Sequence, residues 1–152
     1  MSAKTRIDHF VWLVEPDNLS RYVEQMSELF ETTFDEVFNE SAGARAMISW
    51  DAGLEFVAPY GDSPAANALR AVLAERGEGP CAVVVRVPSI DASSERAAAL
   101  GWPIDRQSIE LEAGMSSTTK VTSARERVIG SFLNTSLFVA EIEYADVEDA
   151  TS

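Results

Sequence analysis

The chain has 152 residues, 46% of them apolar and 24% charged, and a formal net charge of −13. That length and balance suit a soluble globular domain with a sizeable core, and the acidic excess argues against nucleic acid and anionic membrane surfaces as partners. One cysteine and one histidine exclude an internal disulfide and the usual structural zinc sites. With no apolar run of membrane-spanning length and no signal-like N-terminus, a reducing cytoplasm is the expected setting.

The first β-rich run, "RIDHFVWLV" over residues 6–14, contains the lone histidine, His9. Strand parity puts His9 on the face of Ile7, Val11 and Leu13, with Phe10, Trp12 and Val14 on the other. A helix follows, capped by Asp17 or Asn18, with Leu19, Tyr22, Val23, Met26, Leu29 and Phe30 at helical spacing. Tyr22, Val23, Met26 and Phe30 are expected to be buried against a sheet. Strands are then expected over 33–38, 44–50 and 54–59. Turn chemistry in "GDSP" and "GEGP" flanks a short helix, "NALRAVLAER". Beyond it come a strand at 81–87, a helix from Ser89 to the C-terminal stop at Gly101, a strand at 104–112 and two strands within 128–144. Residues 112–127 read as a long irregular stretch.

This order is a βαβββ unit used twice: module one over 5–60, a connection over 61–80 and module two over 81–145. The fold class expected is α+β, with two modules forming a curved mixed sheet around a cavity in one domain. Apolar register aligns "IDHFVWLV" with "CAVVVRV", setting His9 on Ala82, and "LEFVAP" with "AEIEYA", setting Glu55 on Glu141.

The paired layout resembles the vicinal oxygen chelate superfamily, which includes glyoxalase I, methylmalonyl-CoA epimerase, extradiol dioxygenases and the fosfomycin and bleomycin resistance proteins. The stretch 54–101 is most similar to the epimerase type, as are "RIDHFVWLV" for the first strand and "FVAEIEY" for the last. In metal-dependent members, each module supplies one ligand from its first strand and one from its last. Carried over by position, the resemblance implies His9 and Glu55 from module one and Glu141 from module two. Ala82 stands where a second histidine belongs. His9, Glu55 and Glu141 are therefore the candidates both for holding a divalent metal and for catalysis. A His plus two carboxylates suits non-haem iron or manganese, although the missing imidazole weakens the set.

The activity implied is proton transfer next to a carbonyl, as in an isomerase, epimerase or lyase. Glu141 would be base or ligand, Glu55 its opposite number, and His9 a ligand or enolate-polarising donor. The alternative for His9 is a core histidine whose nitrogens meet a carbonyl or water. For the whole protein, the alternative is a metal-free binding protein that sequesters a cationic molecule in an acidic groove, as bleomycin-binding relatives do. A small-molecule ligand and a homodimer are expected on either reading.

Other residues are read from their neighbours. Trp12 and Trp50 are expected in the helix-side core, and Trp102 in packing at the end of the later helix. Arg125 and Arg127 are solvated strand residues or an anion-binding pair. Cys81, one position before Ala82, is expected on the opposite face as a small core residue, and Met115 is a lid residue or loop filler.

Overall fold

The computed structural model describes residues 4–102, 108–111 and 121–145. In chain order it contains β1 (Arg6–Leu13), a 3-10 turn (Pro16–Asn18), α1 (Leu19–Phe30), β2 (Asp35–Asn39), β3 (Ala44–Ser49) and β4 (Leu54–Pro59). The second half comprises α2 (Pro64–Arg76), β5 (Gly79–Arg86), α3 (Ile90–Ala99), β6 (Ser108–Leu111), β7 (Val121–Phe132) and β8 (Thr135–Tyr144). The strands form one eight-stranded mixed sheet in the order β2-β3-β4-β1-β5-β8-β7-β6. The architecture is α+β with a curved sheet, as the repeated unit implied.

The order is the same read from either end towards the middle, and the register shares that symmetry. β1 and β5 run antiparallel with Phe10 opposite Val83. On one side Ile7 faces Val85, and on the other Trp12 faces Pro80, so the alignment of His9 with Ala82 converts one pairing into the other. Each central strand also pairs in parallel with the last strand of its own half, β1 with β4 and β5 with β8.

α1 packs on the convex face through Leu19, Tyr22, Val23 and Met26, against Trp12, Val14 and Phe56. Leu19 is fully buried, and burial of such a side chain contributes about 1.5–3 kcal/mol. Two expectations need correction. Leu29 and Phe30, at 67% and 55% exposure, lie outside that interface, because the helix ends at Glu31 in a left-handed cap. Nor does either expected N-cap side chain cap the helix: the Asn18 amide instead donates to Glu78, at the start of the second half. α3 does begin as read, with Ser89 Oγ accepting from the Ala92 amide.

α2 starts one turn earlier than "NALRAVLAER", at Pro64, with Ser63 as its cap. It sets Leu69 and Val72 against the cavity on the concave side. Gly43, at φ +60°, lets α2 approach: a Cβ there would sit 2.2 Å from the Ala66 nitrogen. The largest difference from expectation is β7, which begins at Val121 inside the stretch read as irregular. It pairs along its length with β8 through a two-residue turn, Leu133 and Asn134, both at positive φ.

Candidate functional site

β1 and β5 meet through two bulges, and these build the site. Pairing steps from Ile7–Val85 to His9–Val84, leaving Asp8 as the extra residue in β1. A bulge turns consecutive side chains out of strict alternation, so Asp8 can bond to the neighbour it would otherwise point away from. Asp8 Oδ1 accepts from His9 Nδ1 at 2.8 Å, and His9 Nε2 lies 2.9 Å from Glu55 Oε2 on β4. On the far side, the Tyr144 hydroxyl of β8 donates to Asp8 Oδ2 at 2.7 Å. A chain of four side chains, Tyr144–Asp8–His9–Glu55, thus crosses the sheet and ends in the cavity at Glu55. Gly53, at φ +69°, holds β4 close to the bulge: its carbonyl accepts from the Phe10 amide, and a Cβ would sit 2.7 Å from the Asp8 carbonyl oxygen.

His9 is 2% exposed, with the edge of its ring against Trp50. Burial disfavours the charged ring, but the hydrogen bonds with Asp8 and Glu55 outweigh it, aided by the negative charge of Glu55 and Glu126. Together they raise its pKa to about 10. Asp8 balances the same forces: burial pushes its carboxyl up, while His9 and Tyr144 pull it below the usual value.

The chain opens on a cavity of about 620 Å³, within the range of small-molecule sites. Val11, Val37, Ala46, Ile48, Val57 and Val84 are among its walls. Glu126 of β7 also lines it and makes no hydrogen bond to any described residue. Burial raises its pKa to about 7; His9 opposes that rise, and the charges of Glu55 and Asp8 add to it. Apart from His9, Arg76 is the only basic residue among the described residues of the lining.

The structure brings together two of the three expected site residues, His9 and Glu55. It does not bring Glu141 to them. Glu141 faces the opposite side of β8, where its Oε2 accepts from the Ile90 amide at the start of α3 and lies 3.7 Å from Arg125. The register explains the error. β1 pairs Val11 with Glu55 and β5 pairs Val84 with Phe138, so the counterpart of Glu55 is Phe138, a cavity residue, and Glu141 is an odd number of positions away.

Arg125 and Arg127 share the convex face of Glu141, and Arg127 bonds to Asp91 and Ser94 of α3; they secure that helix to the sheet. Trp50 lines the cavity instead of the helix-side core, whereas Trp12 packs under α1 as expected. Trp102 stacks on Phe132. Cys81 lines the cavity too, because it is the extra residue of the second bulge, between Ala82 and Pro80. Burial pushes its thiol up to about 12, and the charge of Glu55 adds to this, so it is a poor nucleophile. Met115 lies outside the described residues. Asp8, Tyr144 and Glu126 escaped the sequence reading. Asp8 had a signal, its place beside the only histidine, but the bulge that turns it has none.

A chelating site of the kind the resemblance implies draws ligand atoms from both halves of the sheet. Here the second half offers Ala82 and Phe138, neither of which has a ligand atom in its side chain. Among the described residues no three metal-binding side chains converge. The donor set therefore does not fit a divalent metal, and the expected trio of His9, Glu55 and Glu141 is not assembled.

No family model matches the chain, and neither does any curated protein sequence. Solved structures do match it. A variant of methylmalonyl-CoA epimerase from Streptomyces coelicolor, in complex with 2-nitronate-propionyl-CoA, superposes with a TM-score of 0.70 at 20% identity, covering 91% of this chain and 98% of that one. The epimerase from Mycobacterium tuberculosis gives 0.63 at 18%, covering 89% and 86%. A hypothetical protein from Bacillus halodurans gives 0.67 at 16%, covering 97% and 100%. The chain has the fold of these proteins, the vicinal oxygen chelate fold.

Proposed function

We propose that the protein is an isomerase or epimerase that moves a proton next to a carbonyl in a small, largely apolar molecule. The observation that carries this reading is the pair of carboxyl groups in one largely apolar cavity, each in different surroundings. Glu55 is fastened to the His9 ring, while Glu126 has no such partner among the described residues and is neutral for part of the range near pH 7. A carboxylate paired with an imidazole and a second carboxyl group whose pKa burial raises can divide the roles of base and acid. Glu55 accepts the proton from the carbon beside the carbonyl. Glu126, as a carboxylic acid, donates to the carbonyl oxygen and stabilises the enol. The enol then gives its proton back to Glu126, while Glu55 returns the first proton to the next carbon, or water protonates the original carbon from the opposite face and Glu55 releases its proton to solvent. The products are an isomer and an epimer respectively. Asp8 and Tyr144 hold His9, and His9 holds the base.

The cavity walls are mainly apolar and Glu55 is already matched by His9, so a groove for a cation is not favoured. The ligand expected is uncharged at its reacting end. Association as a homodimer is part of the proposal, supported by the open edges β2 and β6, which a partner would cover; light scattering showing a monomer at micromolar concentration would remove that part. Among the described residues, no helix is long and apolar enough to cross a membrane.

The test is proton exchange in D2O. Short branched acyl thioesters and 2-substituted ketones are incubated with the protein, and loss of the α-proton signal is followed by NMR. Exchange above the protein-free rate, lost in Glu55→Gln and slowed at least about a hundredfold in Glu126→Gln, is the expected result. Ligands that bind with no exchange above background would make this a binding protein.

A further inference from the structure

We propose that this cavity is a metal-independent version of a chelating site, in which the His9 side chain, clasped by Asp8 and Glu55, takes the place of the metal ion. A ligating imidazole needs one nitrogen free for the metal, and the other is held by an outer partner. Asp8 is such an outer partner, at 2.8 Å from Nδ1. But Nε2, the nitrogen left for a metal, lies 2.9 Å from Glu55, which is itself the second ligand position. The two first-half positions thus lie within hydrogen-bonding distance of each other and form an ion pair.

The second half completes the case. Its two equivalent positions, Ala82 and Phe138, have no donor atoms, and both face the cavity. Even the bulge is retained there, with Cys81 in the place of Asp8. Since the chain has one histidine, no residue outside the described ones can supply a second imidazole. The backbone of a four-ligand site is kept, while the two ligand positions of one half pair with each other and the two of the other half are apolar. The inference stands apart from the proton-transfer reading, because a metal-free cavity is equally possible in a protein that only binds.

The single histidine makes the experiment direct. Full-length protein labelled with 15N-histidine yields one imidazole, with two nitrogens to observe. Zinc, then manganese(II), is added to millimolar concentration. The expected result is no shift and no paramagnetic broadening of either nitrogen, with metal analysis of protein purified without a histidine tag or chelators showing no stoichiometric ion. Broadening that follows sub-millimolar manganese, or one bound ion per chain released by His9→Asn, would overturn the proposal.

A second arm restores the missing ligands with Ala82→His and Phe138→Glu, singly and together. Cobalt(II) affinity, read from its visible absorption, should rise at least tenfold in the double variant over wild type. A folded double variant with no gain would show that these positions do not converge and would also overturn the proposal. Should the double variant fail to fold, the single Ala82→His variant is read in the same way, and the wild-type labelling arm decides regardless. Exchange activity in D2O enters neither arm, so the failure of one reading leaves the other intact.

Discussion

The two halves of the sheet have one backbone plan and opposite chemistry. At three equivalent positions the first half places Asp8, His9 and Glu55, and the second places Cys81, Ala82 and Phe138. Both halves keep the bulge in their first strand and the parallel pairing of first strand to last. The exchange is reciprocal at a fourth position. Glu126 pairs across from Ala140 as Ala46 pairs across from Val57, so the second half has a carboxyl group where the first has a methyl. Each carboxyl group therefore faces a cavity whose opposite wall is apolar. Such a division lets one cavity hold a carboxylate in an ion pair and a second carboxyl group whose pKa burial raises to about 7.

Emptying the equivalent bulge positions one at a time should separate the two halves most strongly. Asp8→Ala leaves His9 buried with one carboxylate fewer, and removal of one partner from a buried ion pair costs about 3–5 kcal/mol. Cys81→Ala removes one sulfur atom from an apolar wall and should cost about 1 kcal/mol. Urea midpoints for the two variants measure the difference; equal losses would mean that the clasp is not what holds β1. The same clasp sets the alkaline limit of stability. The folded-state pKa of His9, about 10, lies above the ordinary 6.5, so its contribution is complete below pH 6.5 and is lost as pH rises through 10. Asp8 acts in the other direction: its lowered pKa contributes stability above the ordinary carboxylate value, which is lost on acidification. In Asp8→Ala both limbs of the stability profile should flatten.

Glu126 should show the sign opposite to that of Asp8. Its pKa is raised to about 7, chiefly by burial, so its contribution is present below the ordinary 4.5 and is lost as pH rises through 7. Glu126→Gln, which cannot ionise, should therefore be more stable than wild type at pH 8 by about 1–3 kcal/mol, and close to it at pH 5. A parallel pair of thermal melts at the two pH values tests this. If the variant were less stable at both, Glu126 would be a structural hydrogen-bonding residue and not a strained carboxyl group in the cavity.

Much of this was legible in the sequence, for reasons that can be named. Alternation in "IDHFVWLV" places His9 and Val11 on the cavity face and Trp12 under α1, because period-two burial is a direct consequence of the pleat. Ser89 is visible as a cap because the hydroxyl, the first turn and Gly101 are all local features. Asp8 and Cys81 were hidden, since a bulge changes the parity of one residue without a change in composition. β7 was hidden because "VTSARERV" sets Ala124 and Glu126 inward and Arg125 and Arg127 outward; a charge on each face erases the apolar alternation that marks a strand. Missing β7 meant missing Glu126. The misplacement of Glu141 came from aligning glutamate with glutamate, where the hydrogen-bonded register aligns Glu55 with Phe138.

Glu141 accordingly gives the smallest expected effect and a clean separation of the two registers. Its carboxylate is 42% exposed on the convex face, where it accepts from the Ile90 amide at 3.3 Å and lies near Arg125. A carboxylate near the first turn of a helix is favoured by the unpaired amides there, by about 0.3–1 kcal/mol at exposed positions. Glu141→Gln retains an oxygen that can accept from the Ile90 amide and loses only the charge. The stability loss should then be at most about 0.5 kcal/mol, shrinking further at high salt. Ligand binding and α-proton exchange in the cavity should match wild type, since the sheet lies between this side chain and Glu55. Had Glu141 been the base or a ligand, the same change would reduce exchange by orders of magnitude at unchanged stability. Phe138→Leu is the companion measurement: it alters the cavity wall at the true counterpart of Glu55, and should shift ligand affinity where Glu141→Gln does not.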